Sequence, residues 1–324
     1  MEVFKHNQPI VDFMANAKRF GILSLTLVIL SLGLLMTKGL NYGIDFAGGT
    51  VIQVQYENDA PIQKVREILQ TNKSYEGATV TYFGSNQEIS IRTKTTSNNV
   101  DVDISDTMSN LLKDTGSFEI RSVDMVGPAV GDELRTQGLM AMLLSIIGIL
   151  IYISFRFQWQ FAVASVIALI HDVSISMGVL ALLQVEINLP ILAAILTILG
   201  YSLNDTVIVF DRIRDGIRTI KTIELSDVID ESVTRTLSRT ILTSLTTLFV
   251  VFTLYLFGGE LLKGFSFTLL VGITVGTYSS IFVASPILMW LNFSVVKFRE
   301  NEAEKQKREK EKEKMRAMYE QGTI

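Results

Sequence analysis

Asn188-Leu-Pro-Ile-Leu-Ala-Ala-Ile-Leu-Thr-Ile-Leu-Gly-Tyr-Ser-Leu-Asn-Asp-Thr-Val-Ile-Val-Phe210 decides how this chain is read. The stretch is long and apolar enough to cross a bilayer core of about 30 Å as one helix. It nevertheless carries a carboxylate, Asp205, near one end. An ionisable side chain near the bilayer centre costs roughly 2.5–3.5 kcal/mol on insertion scales, so such residues mark pathways more often than accidents.

Five more stretches have the same character, at about 20–37, 137–155, 160–183, 239–258 and 263–291, which predicts six spans. The composition agrees: 324 residues, 48% hydrophobic and only 19% charged, against about a quarter charged in soluble proteins. Lys18 and Arg19 precede the first span, as they would a signal peptide. Its uncharged run from Phe20 to Thr37 exceeds an h-region of about 7–15 residues, and no small-x-small cleavage site follows, so a retained span is expected. There is no cysteine. No basic patch interleaved with aromatics points to nucleic acid.

Loop charge predicts the orientation. Lys5, Lys18 and Arg19 flank the first span, and Arg156 lies between the second and third. Arg212, Arg214, Arg218, Lys221 and Arg235 fill the loop between the fourth and fifth, and Lys297 and Arg299 open the tail. The opposite turns, around Glu186 and Glu260, are nearly free of Lys and Arg. Both termini are therefore expected in the cytoplasm, as an even number of spans requires, with the chain multi-pass in the inner membrane.

Residues 38–136 are expected outside the cytoplasm as a small folded domain. An alternating strand Thr50–Tyr56 leads to a helix opened by Pro61. Runs Ala78–Phe83 and Glu88–Thr93 flank a turn at Gly84-Ser-Asn86. A helix over Val102–Lys113 and a strand over Phe118–Val126 complete the order β-α-β-β-α-β, an α+β ferredoxin-like fold. Without histidine or cysteine, and with scattered acids, the domain suits binding or docking rather than catalysis.

Three places put ionisable groups at membrane depth. Asp172, next to His171 in the third span, lies roughly 18 Å in; Asp205 lies roughly 9 Å in and Arg239 roughly 6 Å in, counting 1.5 Å per residue from the helix ends. Similar depth on consecutive antiparallel helices predicts an Asp205–Arg239 pair, with a static salt bridge and a snorkelling Arg239 as the alternatives. Arginine keeps its proton, so Asp205 is the member that can change charge. Tyr201, Asn204 and Thr206 adjoin the carboxylate; Arg239, Thr243 and Thr246 share a helical face, with Ser244 and Thr247 beside it. Thr268, Gly272, Gly276 and Ser280 form a small-residue ladder in the sixth span. Asp172 is a second candidate proton stop. With no second histidine in the membrane, neither a metal nor a cofactor is expected. No nucleophile-base set appears in the spans, which speaks against an enzyme.

Several long segments carry a family likeness: Gly43-Ile-Asp-Phe-Ala-Gly-Gly-Thr50, Gly200-Tyr-Ser-Leu-Asn-Asp-Thr-Val-Ile-Val-Phe-Asp-Arg-Ile-Arg214, Ser232-Val-Thr-Arg-Thr-Leu-Ser-Arg-Thr-Ile-Leu-Thr-Ser-Leu-Thr-Thr247 and Gly276-Thr-Tyr-Ser-Ser-Ile-Phe282. With them the whole chain resembles the SecD/SecF family of the bacterial Sec protein-export machinery, relatives of the RND transporters. The short exported domain and the Asn204-Asp205-Thr206 wording resemble the SecF side of that family. The resemblance implies pairing with SecD into a twelve-span unit that uses the proton-motive force to complete preprotein translocation. It implies SecYEG, SecA and YajC as further partners, and membrane lipid as surroundings. It also implies proton-pathway roles for Asp205 and Arg239, completed by an Asp from SecD. Asp172, Asn204 and Thr243 are weaker candidates on the same pathway.

The loop 211–235 places Ile213, Ile217 and Ile220 at helical spacing and restarts at Ser226, which predicts an amphipathic interface helix with Ser226 as N-cap. The tail 292–324 is dense in Lys and Glu and reads as a solvated helix or free end. Two other functions share much of this pattern: an RND-type half-transporter of a small molecule, which would normally want larger exported domains, and a passive scaffold.

Overall fold

A computed structural model describes residues 9–75, 77–94 and 104–320. In chain order the elements are α1 (Ala17–Thr37), β1 (Asn41–Tyr42), α2 (Ile44–Ala47), β2 (Gly49–Tyr56), α3 (Ile62–Thr71), β3 (Thr79–Phe83), β4 (Ser85–Thr93), α4 (Ile104–Leu112) and β5 (Phe118–Val126). Then follow α5 (Pro128–Arg156), α6 (Trp159–Leu183), β6 (Glu186–Ile187), α7 (Leu189–Thr219), α8 (Leu225–Phe257), α9 (Gly259–Ser279), α10 (Ser285–Trp290) and α11 (Val295–Glu320). Among the described residues six helices are long and apolar enough to span a membrane: α1, α5, α6, α7, α8 and the run from Gly259 to Trp290. That last run holds a π-helical turn, Ser280–Ala284, between α9 and α10. The turn stands just before Pro286, whose missing N–H and bulky ring would otherwise disrupt regular helix. Ser285 Oγ donates to Ser280 O at 3.0 Å across it.

Helices α6, α7 and α9 form the buried centre, and α1, α5 and α8 flank it. Small residues set the close approaches. On α1 only Ala17, Ser24 and Ser31 are buried, seven residues apart, and the isoleucines and leucines between them face outward. Gly178 of α6 meets Ser31; Gly272 and Gly276 of α9 meet Ile198 and Ser202 of α7 with no room for a Cβ. The ladder read from the sixth span thus packs α9 on α7, as small-xxx-small stripes do.

The domain between α1 and α5 is a four-stranded antiparallel sheet in the order β3-β4-β2-β5, with α3 and α4 over one face. Strand β2 alternates, so Ile52, Val54 and Tyr56 point into a core with Val65, Leu69, Ile89, Ile91, Met108 and Leu112. This is the split βαβ arrangement expected. The hairpin turn differs: Gly84 alone, at φ +74°, joins β3 to β4, and Ser85 already pairs with Phe83. Residues 102 and 103, taken as the start of the second domain helix, lie outside the described residues.

Two boundaries differ more substantially. Helix α5 starts at Pro128, with proline in the first turn, so its first two turns belong to the helix and not to the domain. There is also no separate interface helix over 211–235. Helix α7 runs unbroken to Thr219 and α8 starts at Leu225, so the loop is only 220–224 and Glu224 stands at the N-cap in place of Ser226. Ile213 and Ile217 are fully buried on α7, which explains their helical spacing without an interface.

Residues far away in sequence close the ends of these helices. At the domain end, β1 pairs in parallel with β6, and Gly43 N donates to Ile187 O at 2.7 Å. Asp45 Oδ2 then accepts from Leu189 N, the first residue of α7, at 2.9 Å. Arg92 of β4 bonds Tyr42 O and pairs with Glu186 at 3.4 Å. At the opposite, loop end, Asp230 Oδ1 of α8 accepts from Phe13 N at 2.8 Å and Met14 N at 3.0 Å, where the chain turns into α1. Tail helix α11 is no free end there. Arg299 donates to the carbonyls of Ile217 at 2.7 Å, Ile220 at 2.5 Å and Thr222 at 3.0 Å, closing the C-terminus of α7. Glu302 forms a two-pronged bridge with Arg218 at 2.9 Å.

Candidate functional site

Asp172 is the most completely enclosed acid of the bundle, with none of its surface exposed. Its Oδ1 lies 2.8 Å from His171 Nδ1. Its Oδ2 accepts from Ser202 Oγ of α7 at 2.5 Å and from Ser279 Oγ of α9 at 2.8 Å. One carboxylate therefore ties all three central helices together. The His171 ring stacks on Tyr278 of α9, centroids 6.2 Å apart, and the Tyr278 hydroxyl reaches Ser24 of α1 at 3.0 Å and Phe20 O at 3.2 Å.

Asp205 stands three residues beyond Ser202 on α7 and is 1% exposed. Its Oδ2 accepts from Ser244 Oγ of α8 at 3.2 Å, and Ser244 in turn accepts from Thr277 Oγ1 of α9 at 2.8 Å. The same α7–α8 seam is held by the Tyr201 hydroxyl, 3.2 Å from both Thr243 O and Thr247 Oγ1. The two carboxylates thus head adjoining hydroxyl networks, both anchored on α7 and α9.

Arg239 does not pair with Asp205. It is exposed, and among the described residues its side chain has no ion pair. The antiparallel register sets Ser244 opposite Asp205, so Arg239 lies five residues along α8, about 7.5 Å nearer the loop end and about 140° round the helix. Counting from Arg235 as the start of a span gives equal depth, but α8 begins ten residues earlier, at Leu225. Nor does the structure bring Asn204 or Thr243 to the carboxylate. Asn204 is exposed, and Thr243 Oγ1 donates back to Arg239 O and Thr240 O of its own helix, both at 3.0 Å. Thr246, also exposed, bonds Leu242 O and Thr243 O at 2.9 Å. The Arg239-Thr243-Thr246 face points out of the bundle.

Sequence reasoning passed over Ser202, Ser279 and Thr277 as site residues and gave Ser244 no partner. Ser202 could have been found, since i and i+3 share a helix face and Asp205 is its i+3 neighbour. Among the described residues no group of three or more His, Cys, Asp or Glu side chains could hold a metal ion.

The comparisons with known proteins bear on this arrangement. Residues 107–294 match the family model described as protein export membrane protein SecD/SecF, C-terminal, and residues 33–60 match the SecD/SecF GG motif. A protein named protein translocase subunit SecF from Helicobacter pylori J99 is 45% identical over 324 residues, all of both chains. The chain belongs to the SecD/SecF family. Escherichia coli O157:H7 SecF is 39% identical over 90% of this chain and 91% of its own. Among solved structures, SecDF from Thermus, described as a translocon-associated membrane protein, superposes with a TM-score of 0.80 at 36% identity. That match covers 88% of this chain but 39% of SecDF, so the chain spans well under half of that longer protein. As a member of the SecD/SecF family, the chain has its GG motif in the segment where Gly43 and Asp45 join the domain to α7, and its family C-terminal region contains both carboxylates.

Proposed function

We propose that this chain is an accessory subunit of the bacterial Sec protein-export machinery. It pairs with SecD and uses the proton-motive force to help preproteins complete translocation. The observation that carries the proton-coupled part is the enclosure of Asp172 and Asp205, 0% and 1% exposed, on the adjoining central helices α6 and α7. Among the described residues their side-chain partners are hydroxyls and one imidazole, with no lysine or arginine at either. A carboxylate at membrane depth can shed its charge by taking a proton, and each one here holds helices together through its oxygens. Proton arrival therefore alters helix packing directly. One charge moved through the membrane potential yields about 2.3 kcal/mol per 100 mV, enough to bias a two-state element more than tenfold. It is too little to pull a long chain in one step, so repeated cycles of grip and release follow.

Arg239 fits this reading as the residue offered to the partner. Its face, shared with Thr243 and Thr246, is exposed among the described residues, and a SecD carboxylate set against it would complete the charge pattern. Both termini and the α7–α8 loop lie in the cytoplasm of an inner-membrane protein, with the α+β domain on the far side. SecYEG and SecA act upstream on the same preprotein, with YajC as a further companion.

The test is export in membrane vesicles holding this chain with SecD. Asp205→Asn and Arg239→Met should each abolish stimulation by the proton-motive force while the complex still assembles. Wild-type stimulation from both variants would leave a passive scaffold.

A further inference from the structure

His171 is 5% exposed, and its Nε2 has no hydrogen-bond partner among the described residues. A half-used imidazole in a protein interior is costly, because buried polar atoms are ordinarily paired. Its other nitrogen is fully engaged. With Asp172 ionised, Nδ1–H donates to Oδ1 at 2.8 Å, which fixes the tautomer and leaves a lone pair on Nε2. The ring cannot turn away freely, since Tyr278 lies stacked against it at 25° and is itself held by Ser24 and Phe20 of α1. His171 shares a helix face with Gly178, two turns on, which packs against Ser31 of α1, so the ring belongs to the α1–α6 seam. The titratable groups bonded or stacked against the ring are Asp172 on its own helix and the Tyr278 phenol on α9. Helix α1 contributes Ser24, on the Tyr278 hydroxyl, and α7 contributes Ser202, on Asp172, and neither serine titrates.

We propose that His171 is the proton-carrying residue that loads and unloads Asp172, an inference that rests on the proton-coupled reading above. A proton from water on one side of the membrane bonds to Nε2, and the ring becomes imidazolium. The Nδ1–H bond then breaks and its proton bonds to Asp172 Oδ1, leaving a neutral Nε2–H imidazole and a neutral carboxylic acid. Charge and protons balance, and no other reactant is consumed. The step has a mechanical outcome, because hydrogen bonds to an ionised acceptor are about twice as strong as neutral ones. Once Asp172 is neutral, the Ser202 and Ser279 links weaken together, and α7 and α9 are released from α6 at one point. Unloading reverses the sequence.

The chain has two histidines, His6 and His171, which makes a direct test practical. In a His6→Gln variant with nitrogen-15 histidine, assembled with unlabelled SecD in lipid nanodiscs, every ring signal comes from His171. The expected spectrum passes from the Nδ1–H tautomer to a doubly protonated or Nε2–H ring as pH is lowered across the range over which proton-motive stimulation is measured. A ring spectrum invariant over that range overturns the proposal without any change at His171. In vesicles, His171→Asn keeps a donor near the Nδ1 position and removes the titrating ring. It should lower proton-motive stimulation by about tenfold or more, since positioned proton transfer contributes typically 10²–10⁴-fold. Wild-type stimulation in His171→Asn with none in Asp205→Asn overturns this inference and leaves the proton-coupled reading standing. Wild-type stimulation in both removes that reading and this inference with it.

Discussion

The Asp205 carboxylate accepts its bond from Ser244, a neighbour on α8 five residues beyond the arginine that depth alone had matched to it. That relationship separates two jobs. Ser244 keeps Asp205 in contact with α8 within this chain, and Arg239 is left facing outward. Ser244→Ala removes the donor and should cost about 1.5–3 kcal/mol in the state with Asp205 ionised, the scale of a hydrogen bond to a charged group. Proton-motive stimulation in vesicles should fall steeply, whereas Ser244→Thr, which keeps the hydroxyl, should restore most of it.

Arg239→Met should leave the isolated chain as stable as the parent, within about 0.5 kcal/mol, because surface changes away from buried contacts rarely exceed that. Thermal unfolding of purified chain without SecD measures this. A marked loss of stability would mean that Arg239 has a partner within its own chain.

Gly276 has Ser202 Cβ 2.9 Å from where its own Cβ would stand. Gly276→Val should therefore push α9 off α7 and carry Ser202 away from Asp172. Overpacking of this kind costs typically about 1–3 kcal/mol. The lowered melting temperature should come with loss of stimulation, and Gly33→Val, with nothing near its Cβ, should show neither effect.

Asp230→Ala should free the start of α1 from α8 at a cost of about 0.5–2 kcal/mol, the range for a lost helix cap. Amide exchange at Phe13 and Met14 should rise, while exchange in the α+β domain stays unchanged.

The Arg218–Glu302 bridge gives the tail a pH dependence of known sign. Hydrogen bonding by Arg218 holds the Glu302 carboxyl below its ordinary value of 4.5. A depressed carboxylate pKa means the contribution is complete above the unfolded value and is lost as pH falls through the folded one. Docking of α11 should therefore be constant near neutral pH and loosen only in acid below 4.5. Cross-linking between cysteines placed on α7 and α11 should follow that curve, and Glu302→Gln should flatten it.

Much of the architecture was legible in the sequence, since span length and alternating strands depend on local composition, which a single chain displays. The azimuth of α8 was not. Its hydroxyls lie on both faces, Thr240 and Ser244 buried, Thr243 and Thr246 exposed, so no apolar stripe marks the inner side. The sequence hides the depth of Arg239 for a related reason: charged residues from Asp227 to Arg235 look like loop, yet they are helix from Leu225 onward. The sequence understates Asp172 because its partners Ser202 and Ser279 lie 30 and 107 residues away, and serines are too common in helices to announce a bond. Arg299 was hidden by the crowd of similar charges around it in the tail.

Helix α7 is fastened at each end by a charged residue from another part of the chain, Asp45 at Leu189 and Arg299 at the carbonyls past Ile217. A helix is stiff along its axis, so these two fastenings tie the position of α7 to the domain at one end and to the tail at the other. On the proton-coupled reading proposed above, α7 would act as a push-rod: a stroke that tugs the domain through Asp45 would also tug the tail through Arg299.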